Sequence, residues 1–411
     1  MLSLAWRNLW RHSRRTWLTV GAMIFSNILL VFMITLQIGN YGMMIENSLK
    51  AYAGHIQISA TGYSDEPKLR LTVDNITELA ELLRREIPEL SVSMRGETFV
   101  MASSEERSFG LQVAGVDVAH EATVSSIPGL LAEGQYLRAG DHPEIVIGSV
   151  LARNLKVGVG DEITLLGSGY DGSFAAAVVN VRGIFNSGIA ELDRNLAQIS
   201  FASFQALFAM QEKGHVVIAN SSDVYQAASY QQQIQQLLNQ QSELGSGAIE
   251  VLNWRETNPS LVQAIQSDLV SSIFMYMVLI VLVSFSVLNT QLMSVLERTR
   301  EFGIMTAIGL RPGQLGKLVV LETTAMAGLG LVIGAFLGLC LTIYLNQVGF
   351  VIPGMEEMAA RYNLQERLYP SISVFSILVG PSVVFLGCLL AAVYPVIRLQ
   401  GLQPVAAMRA A

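Results

Sequence analysis

The chain has 411 residues, of which 51% are hydrophobic and only 14% charged, with a formal net charge of −7. An ordinary soluble domain carries about a quarter of its residues charged, so the composition excludes one; it is also too polar for a chain made only of membrane helices. A membrane protein with a large aqueous part remains. Cys340 and Cys388 both lie inside apolar runs, which leaves the aqueous part without a disulfide, and the five histidines show no metal-ligand spacing.

Residues 1–16 read as an amphipathic helix lying in a membrane interface. Leu2, Ala5, Trp6, Leu9 and Trp10 share one helical face, and Arg7, Arg11, Arg14 and Arg15 follow the same spacing on another. That pattern places indoles at headgroup depth and arginines toward anionic lipid. Residues 17–40 form a first span, since no charge appears between Arg15 and Glu46. Asn27 sits in its middle and is expected to pack against another helix, because a polar group facing lipid is costly.

Residues 41–268 turn aqueous and alternate between strand and helix patterns. His55–Ser59 alternates like a half-buried strand, and Asn75 with Glu78 marks the start of a helix whose face is Ile76, Leu79, Leu83 and Ile87. Strand-like runs follow at 111–116, 145–147, 163–166 and 177–184, then a glutamine-rich helix at 224–238. The pattern predicts an α+β domain with a β-rich middle insertion, large enough to bury its own core. Asn258 before Pro259 opens a helix that can run directly into the second span, 269–296.

Residues 297–317 are a dense charge cluster between two apolar runs. Glu297, Arg298, Arg300 and Glu301 precede Phe302 and Gly303, and Gly309 followed by Pro312 predicts the end of a short helix near Ile308. Pairs at i,i+3, Glu297 with Arg300 and Arg298 with Glu301, are expected to stabilise it. The third span, 318–346, holds Gly330, Gly334 and Gly338 at four-residue spacing, a ridge suited to close helix packing, and Glu322 near one end. A loop at 347–371, a fourth span at 372–394 and a tail at 395–411 complete the chain. Basic residues gather in the N-terminal segment, the charged loop and the tail, which predicts that both termini are cytoplasmic and the large domain lies outside.

The run Glu297-Arg-x-Arg-Glu-Phe-Gly-x-x-x-Ala-x-Gly309, followed by a span that begins with Glu322, resembles the FtsX-like/MacB-type ABC transporter permeases. The aqueous segments Val113–Asp117, Gly134–Leu137, Ile147–Ala152, Val159–Asp161 and Gly183–Gly188 with Asp193 resemble the periplasmic core domain of that family. Gly183–Gly188 and Asp193, together with Trp254–Asn258, lean toward its lipoprotein-releasing (LolC/LolE-type) branch, and the tail from Tyr394 through Pro404 to Arg409 matches the usual family ending. The resemblance implies a fold of four transmembrane helices plus a large α+β extracytoplasmic domain, set in a bacterial inner membrane. It makes Glu297, Arg298, Arg300, Glu301, Phe302, Gly303 and Gly309 an ATPase-coupling helix and gives Glu322 an intramembrane coupling role.

The chain lacks a P-loop: Gly313–Leu318 has neither the glycine spacing nor the final Ser/Thr. It therefore is expected to carry no cofactor itself, with ATP and Mg held by a cytoplasmic ABC ATPase dimer. The resemblance further implies a second permease copy or sister permease, a periplasmic acceptor and an amphiphilic cargo, best matched by lipoprotein, but no nucleic acid. Two alternatives are a MacB-like exporter of peptides, antibiotics or lipids, and an FtsX-like signalling subunit that regulates cell-wall hydrolases. The long outer domain argues against the second.

Overall fold

The computed structural model describes residues 2–11, 13–105, 107–240, 248–351 and 367–400. The described chain divides into a helical unit, made of residues up to Gly42, 264–351 and 367–400, and an α+β unit within Met43–Gln263. Helix α1, Leu2–Arg11, precedes α2, Ser13–Ser48. The interfacial helix expected over residues 1–16 therefore stops earlier, and Arg14 and Arg15 belong to the first turn of α2. At 36 residues α2 is about 54 Å long, well beyond the hydrocarbon thickness of a bilayer.

The α+β unit begins with a π-helical turn, Leu49–Ala53, and strand β1, Ile56–Ala60. Helix α3, Ile76–Glu86, buries Ile76, Leu79 and Leu83 as the periodicity required. Asn75 stands before it at φ 50°, and its side chain makes no capping bond. The chain continues through β2 (Ser91–Ser103), β3 (Ser108–Val116), α4 (Glu121–Val124), β4 (Leu131–Gly134), β5 (Glu144–Gly148) and α5 (Ser149–Leu155). Then follow β6 (Glu162–Ser168), β7 (Phe174–Phe185), α6 (Ala190–Asn195), β8 (Leu196–Ser200), α7 (Phe201–Leu207) and β9 (Val216–Asn220). Helix α8 (Ala227–Gln240), β10 (Ile249–Asn253) and α9 (Trp254–Thr257) close the unit, and Asn253 with Glu256 forms a capping box at α9.

Strand β2 belongs to two layers at once. Its first half pairs with β9, and β9, β1 and β10 extend an antiparallel sheet from that edge. Its second half pairs with β6, which closes a ring running β2–β3–β8–β5–β7–β6 and back to β2. Alternate residues of these strands point inward, so Val100, Leu111, Val113, Ile147, Leu165 and Ile199 form one core. Phe204 of α7 fills it above Gly96 and Gly115, which are paired across β2 and β3; a Cβ on either would collide with the ring.

Beside this core lies a fully buried ion pair. Arg95 of β2 donates to Glu121 of α4 at 2.5 and 3.2 Å, Ser93 Oγ adds a bond at 3.0 Å, and Arg95 Nη1 donates to the Tyr52 carbonyl at 2.7 Å. The guanidinium also lies 3.9 Å from the Tyr52 ring centroid. Burial alone would lower the Arg95 pKa, but Glu121, Tyr52 and Glu97 together outweigh it and the net displacement is upward. Nearby, the backbone N–H of Glu97 donates to His215 Nδ1 at 2.8 Å and His215 Nε2 meets the Leu69 carbonyl at 3.1 Å, so the ring is accommodated neutral. Burial holds its pKa down to about 4.

Helix α10, Pro259–Glu297, runs without a break into the charged loop, where α11 covers Thr299–Ala307; α12 (Pro312–Val348) and α13 (Val374–Gln400) follow. Among the described residues, four helices are long and apolar enough to cross a membrane: α2, α10, α12 and α13. Helical spans satisfy every backbone polar group internally, which hydrocarbon demands. Their shared core contains Met23, Leu30, Val287, Ala327, Val384 and Cys388. The glycines of α12 meet α2: a Cβ at Gly330, Gly334 or Gly338 would lie 2.7, 2.6 or 2.9 Å from Met23, Asn27 or Val31 respectively. Asn27 Nδ2 donates to the Gly330 carbonyl at 3.0 Å, so the mid-span polar group ties α2 to that ridge. Residues 401–411, which hold Pro404 and Arg409 of the tail, lie outside the described residues.

Two outcomes are expected. Gly334→Leu places a branched chain where α2 already stands, so the variant should lose most of its folded yield after membrane extraction, whereas Gly328→Leu, where a side chain meets nothing, should not. The separately expressed fragment Met43–Gln263 should melt cooperatively. Its His215 is neutral when folded and titrates near its ordinary 6.5 when unfolded, so its contribution is complete above pH 6.5 and is lost as pH falls toward 4. That loss is roughly 3 kcal/mol, and unfolding of His215→Gln should show a correspondingly shallower pH dependence over the same window.

Candidate functional site

The charged loop owes its shape to a break in one helix and a stop in the next. Arg298, at φ −98° and ψ 12°, separates α10 from α11. At the far end Gly309 adopts φ 108°, its N–H bonds to the Thr306 carbonyl at 3.0 Å, and Leu310 N–H bonds to Met305 O at 3.1 Å. This is the paired-bond Schellman stop, with Met305 and Leu310 completing its apolar contact. Glycine is needed there because few side chains tolerate that φ.

Arg298 is the buried centre of the site. Its Nη1 donates to both carboxylate oxygens of Glu322 at 3.1 Å, its Nε approaches Glu301 at 3.3 Å, and its guanidinium lies 5.0 Å from the Phe302 ring centroid. Glu322, 5% exposed, also accepts from Asn8 Nδ2 of α1 at 2.8 Å. Arg11 of α1 pairs with Glu301 at 3.2 Å. Arg15 pairs with Glu297 at 2.7 Å and donates to Ser294 Oγ at 2.5 Å, a cation at the C-terminal end of α10 where the helix dipole favours it. A polar cavity of about 20 Å³, room for one water, lies among Asn8, Arg15, Thr19, Gln291, Arg298 and Glu322.

Several sequence expectations change here. The pair of Arg298 with Glu301 forms, but Glu297 pairs with Arg15 and not with Arg300. Arg11 and Arg15 pair with carboxylates of the charged loop, a role in which Arg7 and Arg14 take no part. Phe302 is 2% exposed, packed with Val295, Leu315, Val319 and Leu399. It is therefore an internal anchor and not an open one, because its helix lays that face on α10, α12 and α13; Gly303 is buried beside it. The exposed face of α11 is Arg300, Ile304 and Ala307, continued by Ile308, which is 78% exposed. Sequence reasoning missed Ile304 and Ile308 since both faces of α11 are apolar and periodicity alone does not choose between them. It also missed Asn8, whose partner lies 314 positions away. The segment Gly313–Leu318 lies within regular α12 and forms no phosphate-cradling loop.

Removing one partner of a buried pair strands the other charge, at about 3 kcal/mol or more. Glu322→Gln and Arg298→Met should each lower the unfolding midpoint of the detergent-solubilised protein strongly. The double variant Arg298→Met with Glu322→Leu should be less destabilised than the two single effects added together.

Comparison with known proteins agrees with this architecture. A model of the FtsX-like permease C-terminal region matches residues 273–404, and one of the MacB-like periplasmic core domain matches residues 16–237. The chain is 23% identical over 317 residues to the lipoprotein-releasing system transmembrane protein LolC of Xylella fastidiosa, covering 74% of each chain. It is 25% identical over 305 residues to the lipoprotein-releasing system transmembrane protein LolE of Haemophilus influenzae, covering 72% of this chain and 71% of that one. It is also 25% identical over 370 residues to the pyoverdine export ATP-binding/permease protein PvdT of Pseudomonas syringae pv. syringae, covering 85% of this chain and 53% of that one. With four membrane-length helices, a MacB-like core domain and an FtsX-like C-terminal region, the chain belongs to the FtsX-like/MacB-type family of ABC transporter permeases.

Proposed function

We propose that the chain is the permease subunit that receives the stroke of a separate cytoplasmic ATPase through α11 and uses it to extract an amphiphilic cargo. The observation that carries this reading is the division of α11 into two faces. Phe302, Gly303 and the Arg298–Glu322 pair hold one face rigidly to the chain's own helices, while Arg300, Ile304, Ala307 and Ile308 stand open on the other. An exposed apolar patch flanked by charge, on an element that cannot yield locally, suits a docking surface that passes on force. PvdT, whose name joins ATP binding and permease in one chain, is matched over 53% of its length, which supports a partner that supplies ATP binding here. The cytoplasmic placement of both termini and of this loop follows the distribution of basic residues.

Lipoprotein is the proposed cargo, supported by similarity to LolC and LolE over about three quarters of each chain. A second reading, export of a small molecule, is supported by the similarity to PvdT over 85% of this chain. A photocrosslinker at Phe274, which is 68% exposed on α10, separates them: acylated protein should be captured, and capture of small molecules or phospholipid alone would remove lipoprotein as the cargo.

The docking face is tested at Ile308. Ile308→Glu and Ile304→Glu should reduce ATPase copurification and stimulated ATP turnover roughly ten-fold or more, as for a central apolar anchor. Membrane insertion should be unchanged, because both side chains are outside the core. Reversing Glu301 is a poor probe, since it also breaks the contacts with Arg11 and Arg298. Normal binding by both isoleucine variants would refute α11 as the docking element.

A further inference from the structure

The N-terminal helix has two differently equipped sides. Its inner side closes a ring of contacts with the charged loop: Asn8 to Glu322, Glu322 to Arg298, Arg298 to Glu301, and Glu301 back to Arg11. Ala5 and Leu9 are buried on that side, and Leu9 packs with Val20 and Met326. Because the ring returns to the helix it started from, α1 cannot shift without disturbing Glu322 of α12 and Glu301 of α11 together.

The outer side of α1, continued by the first turns of α2, is chemically distinct. Trp6, Trp10 and Trp17 are about half exposed and stand edge to face in a ladder, with ring centroids 6.0 Å apart at each step. Leu4 and Leu18 are exposed beside them. Arg7 and Arg14 are exposed and make no ion pair or hydrogen bond with any other described residue. Each stands three positions before a tryptophan, Arg7 before Trp10 and Arg14 before Trp17, so each shares a helical face with an indole. Indoles favour the headgroup layer of a bilayer, and unpaired guanidinium groups beside them complement phosphate oxygens.

We infer that α1 and the first turns of α2 together read anionic phospholipid at a membrane surface and pass that contact to α11. Anionic headgroups on Arg7 and Arg14 seat the tryptophan ladder, and the seated helix fixes the ring Asn8–Glu322–Arg298–Glu301–Arg11, which sets the orientation of α11 for its partner. The link to α11 rests on the proposed docking role; the lipid surface does not.

The test uses the full chain in vesicles and needs no ATPase. Brominated phosphatidylglycerol and brominated phosphatidylcholine are compared, at equal mole fraction, as quenchers of tryptophan fluorescence. Trp254, the one tryptophan outside the ladder, lies in the α+β unit and adds the same background to every variant. Wild type should be quenched at least about two-fold more by the anionic lipid. The selectivity should vanish in Arg7→Gln with Arg14→Gln and persist in Arg7→Lys with Arg14→Lys. Equal quenching of wild type by both lipids would overturn the lipid-reading surface. A spin label at Ile308→Cys, in a Cys340→Ala background, then reports on α11. Its mobility should change between the two lipids in wild type and stop responding in Asn8→Ala. A label indifferent to lipid in wild type would overturn the link to α11. If instead the lipid responses hold and the isoleucine variants still bind ATPase normally, the docking reading fails while the lipid surface stands.

Discussion

A single buried guanidinium sets the geometry of the charged-loop region. Arg298 sits at the break between two helices, 8% exposed, and is held by Glu322 from the next membrane-length helix and by Glu301 one turn ahead. Such a charge is costly unless every donor finds an acceptor, and this requirement fixes where α10 ends, how α11 leaves it and how deep α12 stands beside both. The aromatic ring of Phe302 under the guanidinium and the apolar cluster around it exclude water, which strengthens the pair. Any displacement of α11 therefore meets a stiff joint.

The α+β unit solves a different problem with a similar device. A long strand shared by an open sheet and a closed ring has to be held in one register, or every side chain changes face. Gly96 and Gly115 admit Phe204 only when they stand opposite one another, and Arg95 reaches Glu121 only in that same register. The buried pair and the glycine gap thus specify one alignment of β2 among its neighbours.

Much of this was legible in the sequence because it depends on local pattern. Uncharged runs located the four long helices, alternation located β1, strand-like runs located β3, β5, β6 and β7 but not β2 or β8 of the ring, and Gly309 with Pro312 located the end of α11. The family resemblance placed the loop correctly as a distinct element. What escaped depends on partners far apart in the chain. The pairing of Arg11 and Arg15 with Glu301 and Glu297 joins residues at least 282 positions apart, and the inward turn of Phe302 could not be read from a helix that is apolar on two sides. Closure of the β-ring through β6 and β2, and the neutral His215 beneath it, are likewise set by strand pairing that no window of residues encodes.

The inward position of Phe302 separates two tasks that a docking helix commonly merges. The residues that give α11 its stability and its place, Phe302, Met305 and Leu310, are distinct from those a partner can touch, Arg300, Ile304, Ala307 and Ile308. Partner choice can then drift without eroding the joint. Under the proposed docking role, recognition could change at the surface positions with the interior left as a common chassis.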